Sequence, residues 1–88
     1  MHETKALLIE KNGLRCMLCG RDVTYREINW HHIVPRYQAK REGREPDNSY
    51  ENGSLLCLNC HSYVHSFDYK DPEYQALMKK VNQNKKPR

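Results

Sequence analysis

The sequence predicts a small α+β fold: strand, long loop, strand and helix, flanked by a helix at each end and stapled by four cysteines around zinc. Three observations predict it. The 88-residue chain is 38% hydrophobic and 30% charged, so it buries too little apolar surface to be stable without a staple. Its four cysteines fall in two Cys-x-x-Cys pairs, Cys16/Cys19 and Cys57/Cys60. Two short β-prone runs accompany them, at Glu27 to Val34 and at Ser54 to Cys57. The length sets the expectation of one domain over residues 1–88, with its core at 16–66.

The elements follow in order. Glu3 to Lys11 reads as a short helix with Ala6, Leu7 and Leu8 apolar, and Asn12-Gly13 as its stop. The first cysteine hook comes next, and Gly20 allows a tight turn after Cys19. Glu27 to Val34 (EINWHHIV) suits a strand that Pro35 ends. Arg36 to Asn52 is polar and interrupted by Gly43, Pro46 and Asn48, which predicts a long loop with a helical turn near Tyr37 to Lys40. A loop of that length in a compact domain is usually functional. Ser54 to Cys57 reads as the second strand and Leu58 to Ser66 as a helix. Asp71-Pro72 opens a last helix over about 72–82, Asp as N-cap and Pro at the first helical position. Its Tyr74, Leu77, Met78 and Val81 form an apolar stripe, read as core packing. The basic tail 83–88 is expected to be disordered.

The cysteines pose a choice between disulfides and metal. Met1 to Gly13 has neither a long apolar run nor a small-residue cleavage site, so the expected compartment is the reducing cytoplasm. Two residues between cysteines let both sulfurs turn to one point, and two such hooks complete a tetrahedron for structural zinc. The chain carries a formal charge of +4, concentrated in the C-terminal lysines and in Arg36, Lys40, Arg41 and Arg44. These clusters are consistent with a phosphate backbone as partner, although basic tails often only solvate and Glu42, Glu45 and Asp47 dilute the second cluster. No stretch approaches the ~18 apolar residues of a membrane span.

The histidines carry the chemistry. His31 and His32 are adjacent on the first strand, so they point to opposite faces and need different jobs, one a ligand and one not. His61 and His65 are four apart on the predicted helix, so both imidazoles share a face and can chelate one cation. If that helix packs on the strands, His31 supplies a third nitrogen. Duller readings exist for each: His31 and His32 as ordinary strand residues beside Trp30, His61 or His65 as a substitute zinc ligand, Asn52-Gly53 as a turn. They would all have to coincide.

Taken together, C-x-x-C, then H-H-I-x-P, then Asn52, then L-C-x-x-C-H-x-x-x-H resembles the HNH endonucleases over roughly residues 16 to 65. The resemblance implies the ββα-metal fold, also called the His-Me finger. It implies that His31 and His61 hold the catalytic metal and that His32 is the general base. It implies that Asn52 holds the loop between the strands and so orients the base. Asn48 competes for that place with a spacing to Cys57 that fits less well. His65 resembles the extra C-terminal histidine ligand of the colicin-type members; the alternative is His31 and His61 with waters. Cys16, Cys19, Cys57 and Cys60 match the structural zinc site of many members. The charged loop REGREPD departs from their glycine-rich turn.

The resemblance implies a metal-dependent, one-metal DNA endonuclease leaving a 5′-phosphate and a 3′-hydroxyl. Histidine, with an ordinary pKa near ~6.5, can take a proton from water at neutral pH. The catalytic metal is one divalent ion of the set Mg, Mn, Ni, Co or Zn, with imidazole ligands favouring the softer ions. The expected partner is double-stranded DNA, gripped through its backbone and minor groove by Arg36, Lys40, Arg41 and Arg44, with little base readout. Two alternatives stand beside it: a non-catalytic zinc-stabilised DNA-binding module, and a nuclease subunit active only with a larger phage or restriction partner. Oligomeric state leaves no mark on the sequence.

Overall fold

The computed structural model describes residues 2–88. Among these residues the elements are α1 (Glu3–Asn12), β1 (Asn29–His32), α2 (Arg36–Arg41), β2 (Gly53–Leu56), α3 (Leu58–His65) and α4 (Pro72–Asn84). β1 and β2 pair antiparallel, with His31 opposite Ser54 and His32 opposite Gly53. α1 packs on β2 and α3 on both strands, so the sheet is held between helices. Leu8, Leu55, Leu56, Val64, Tyr74 and Val81 are the centre of the core.

Local chemistry sets each boundary. α1 ends at Gly13, whose φ of 78° suits glycine and whose N–H donates to Ile9 O at 2.7 Å. β1 is four residues long, shorter than the eight-residue run expected. At its start, Thr24 and Glu27 close a turn, with Thr24 Oγ1 donating to Glu27 Oε1 at 2.7 Å. At its end, the Asn52 side chain takes both the N–H and the C=O of Val34, so the ladder stops. α2 replaces the single helical turn expected after Pro35. β2 begins one residue early and stops before Cys57, because Cys57 is the N-cap of α3 and its Sγ accepts from Cys60 N at 3.4 Å.

Gly53 is required by packing. A Cβ there would lie 2.8 Å from Leu8 Cδ1 and 3.1 Å from Trp30 Nε1, so a side chain would force the buried Leu8 and its neighbour Trp30 to shift. In α4, Tyr74, Met78 and Val81 are buried and Leu77 packs at their margin, as the stripe predicts. Asp71 is the N-cap by position, but its carboxylate accepts from Asp68 N at 3.0 Å instead of from the helix.

The C-terminal segment corrects the expectation of a disordered tail from residue 83. The helix continues to Asn84, and Lys85 Nζ donates to the carbonyls of Tyr50, Glu51 and Gly53 at 3.2, 2.8 and 2.9 Å. Tyr50 Oη donates to Lys86 O at 2.6 Å, and Lys86 N to Asn12 Oδ1 at 2.8 Å. The ammonium satisfies three carbonyls of the turn before β2, which binds the chain end to the fold. No helix of the described residues is long and apolar enough to cross a membrane.

Candidate metal and catalytic centre

The four cysteines come together. Cys16 and Cys19 lie in a short hairpin closed by Cys16 N to Arg21 O at 2.9 Å and Val23 N to Leu14 O at 3.0 Å. Cys57 and Cys60 sit at the start of α3. The sulfurs all lie within 4.8 Å of one another, and those of Cys19 and Cys57 are 3.9 Å apart. A tetrahedral zinc with 2.3 Å bonds needs roughly 3.8 Å between sulfurs, so the cluster fits such an ion. All four are free thiols. Burial works to raise the Cys16 pKa, but N–H donation from Cys19, Cys57 and Leu18 outweighs it and brings the pKa down to about 7. Cys60 goes the other way, pushed up by burial and by the neighbouring thiols. A cation that accepts all four as thiolates removes this conflict.

A second cluster is formed between β1 and α3. His31 on β1 and His61 and His65 on α3 each bring one ring nitrogen within 4.8 Å of the others. The Nε2 atoms of His61 and His65 are 2.9 Å apart. Three nitrogens at bond lengths of ~2.1 Å on one tetrahedral ion would lie roughly 3.4 Å apart, so small shifts would seat a divalent cation here. His31 is buried, His61 half-buried and His65 exposed, which leaves the cluster open on one side. Burial, reinforced by His65, His61 and His32, lowers the His31 pKa to about 3. Burial and His65 also lower that of His61. These rings therefore offer lone pairs, which is the form a metal binds.

His32 does not join this cluster. Its ring stacks on Trp30 with centroids 4.7 Å apart, and its Nε2 lies 2.7 Å from Asn48 Oδ1. An amide oxygen only accepts, so Nε2 carries the proton and Nδ1 keeps the lone pair. The Asn52 side chain makes no hydrogen bond to His32. Its side chain accepts from Val34 N at 2.9 Å and donates to Val34 O and Asp47 O at 3.3 and 2.8 Å. It ties the end of β1 to the loop that carries Asn48. The resemblance put the loop and the base on one asparagine; in the structure the bond to His32 comes from Asn48 and the bonds to Val34 and Asp47 from Asn52.

The four histidines and their neighbours enclose a cleft of about 270 Å³, also lined by Trp30, Pro35, Arg36 and Tyr37. Of the expected DNA-contacting residues, Arg36 lines this cleft and Lys40 is exposed on α2. Arg41 pairs with Asp68 at 3.1 Å and lies over the Tyr37 ring, and Arg44 pairs with Glu42 at 2.6 Å. Two residues near the histidines escaped the sequence reading. Asn48 was visible only as the second-best asparagine. Tyr74, whose Oη lies 2.8 Å from His31 Nε2, was hidden in the apolar stripe of α4.

A family model described as HNH endonuclease matches residues 16–67, well over half of the chain. The matched segment holds both cysteine hooks, both strands and all of α3, and leaves out α1 and α4. No curated protein matches the chain.

Proposed function

The chain belongs to the HNH endonuclease family, and from that premise we propose that it is a metal-dependent endonuclease hydrolysing DNA phosphodiester bonds in the histidine cleft. The observation that carries the reading is the division of labour among four histidines. Three converge their nitrogens on one point, while the fourth is turned away and oriented by an asparagine. A binding module without catalysis would need neither arrangement.

His31, His61 and His65 would hold the divalent cation, which supplies Lewis-acid stabilisation of the charge that develops on the phosphate and the departing 3′-oxygen. His32 acts as general base. With Nε2 committed to Asn48, its Nδ1 accepts a proton from the water whose oxygen attacks phosphorus. The new P–O bond forms as the bond to the 3′-oxygen breaks, leaving a 5′-phosphate and a 3′-hydroxyl. Trp30 and Asn48 hold the imidazole plane, so little orientation is lost on reaching the transition state. Asn52 sets the backbone on which both loop ends rest. Arg36, at the cleft, is placed to pair with a flanking phosphate. Cys16, Cys19, Cys57 and Cys60 would hold a structural zinc, which would fix the start of α3 and so the pitch at which His61 and His65 face His31.

The test is cleavage of supercoiled plasmid after chelation and re-addition of single metals, wild type against His32→Ala. Wild type is expected to give nicked or linear DNA. The variant should lose at least ~100-fold in rate while keeping its zinc and its circular dichroism. If neither protein cuts with any metal while both bind DNA, the catalytic reading falls.

A further inference from the structure

α4 lies outside the segment that the HNH family model matches, yet it reaches into the site. Tyr74 is buried and crosses 43 positions of sequence to place its Oη 2.8 Å from His31 Nε2. The same hydroxyl donates to Ile33 O at 2.6 Å. A phenol has one proton, and a carbonyl can only accept, so that proton goes to Ile33. What Tyr74 turns to His31 is therefore a lone pair, and the hydrogen for the 2.8 Å contact comes from the imidazole. His31 then carries its proton on Nε2, and its only lone pair is on Nδ1.

We propose that Tyr74 is a positioning residue for the metal site: it selects the Nε2–H tautomer of His31 and fixes the ring plane, so that Nδ1 is the nitrogen offered to a cation shared with His61 and His65. The inference rests on the metal-site reading above and adds a helix to it. A histidine ligand whose second nitrogen is anchored loses less freedom on binding, and its orientation is set before the metal arrives. Here the anchor is itself tied to the backbone of the residue two after the ligand, so ligand, anchor and strand end form one closed loop of contacts. The ring of Tyr74 is packing; the hydroxyl is the functional part. No other described element supplies a partner to His31 Nε2 in its place.

Tyr74→Phe separates the two, because it keeps the ring and removes only the oxygen. Zinc is kept at the cysteines, and Co2+ alone is titrated into the protein. Co2+ among nitrogens is told from Co2+ at the cysteines by the lack of a thiolate charge-transfer band. Wild type is expected to take up one equivalent at the histidines. Tyr74→Phe should bind it about 10- to 100-fold more weakly, with cysteine-bound zinc unchanged. Long-range 1H–15N spectra of the protein with its histidine site metal-free should show His31 protonated on Nε2 in wild type and a mixture of tautomers in the variant. Equal Co2+ affinity in the two proteins overturns the inference and leaves the metal site standing. So does an Nδ1–H form of His31 in wild type, which needs no variant to observe. Failure of wild type to bind any Co2+ at the histidines overturns both.

Discussion

Asn48 and Asn52 are four residues apart and do different things, which makes them a sharp test at the residue scale. Asn52 is buried and satisfies three backbone groups, among them the Val34 N–H. Asn52→Ala should cost about 2–4 kcal/mol in urea unfolding, since it removes those three bonds and leaves part-buried backbone groups unmet. Asn48 is exposed and makes one side-chain bond, to His32. Asn48→Ala should leave the unfolding midpoint nearly unchanged and lower the cleavage rate about 10- to 100-fold, at unchanged DNA affinity, by releasing the tautomer of the base. The reverse pattern would return the orienting role to Asn52 alone. His31 gives a second test, in pH. With the histidine site metal-free, its folded pKa is about 3, against ~6.5 in an unfolded chain. Between those values the unfolded chain binds the extra proton, so stability is full above pH ~6.5 and falls as pH drops. The slope from this one group reaches at most about 1.4 kcal/mol per pH unit. Urea titrations between pH 7 and pH 5 should show a steeper loss for wild type than for His31→Gln. Equal slopes would mean that the buried ring is protonated at no cost.

At the scale of elements, α3 joins the two metal clusters. Its N-cap is Cys57, its first turn holds Cys60, and His61 follows directly. An eight-residue helix is too short to persist by its own propensity, so the cysteine site has to hold its first turn. Structural zinc contributes apparent binding energies of about 10–16 kcal/mol, as large as the whole stability of a small domain. Stripping that metal, or Cys57→Ser, should therefore abolish the cooperative thermal transition and much of the helical circular dichroism, and take Co2+ binding at the histidines with it. Survival of a cooperative transition in the stripped protein would show that the apolar core suffices. This coupling was legible in the sequence, because spacing within a hook and along a helix is local information. The structure brings the two Cys-x-x-C pairs together, puts the i and i+4 histidines on one helix and starts α4 at Pro72, all features that local spacing carries. What local pattern could not carry was contact across the chain. Nothing in an i, i+3, i+4, i+7 stripe says that one tyrosine's hydroxyl will meet a histidine 43 positions away. Nor does a lysine-rich tail show that Lys85 will satisfy the turn before β2. β1 came out shorter than its β-prone run for the same reason, since a side chain from the far loop ends its ladder.

For the whole molecule the open question is where DNA runs. The formal charge of +4 is not spread evenly, and the fold sorts the basic segment of α2 by what each side chain is already doing. Arg41 is paired with Asp68 and stacked over Tyr37, and Arg44 is paired with Glu42. Such exposed pairs are worth little in stability, but a phosphate must compete with the carboxylate for each guanidinium. Arg36 instead borders the cleft beside His32. On the proposed function, a duplex in the cleft would lie against Arg36, and the loss of its charge should be felt as a lost phosphate contact. Arg36→Ala is expected to weaken binding to a short duplex and to reduce the slope of log affinity against log salt by about one. Arg41→Ala should change that slope less, because its guanidinium is already paired with Asp68 and is less available to a phosphate. Both slopes can be read from anisotropy titrations at several salt concentrations with His32→Ala, which prevents cleavage during the measurement. An Arg41 effect equal to that of Arg36 would move the DNA track out of the cleft and along α2, and the phosphate at the base would then have to be reached by bending the duplex.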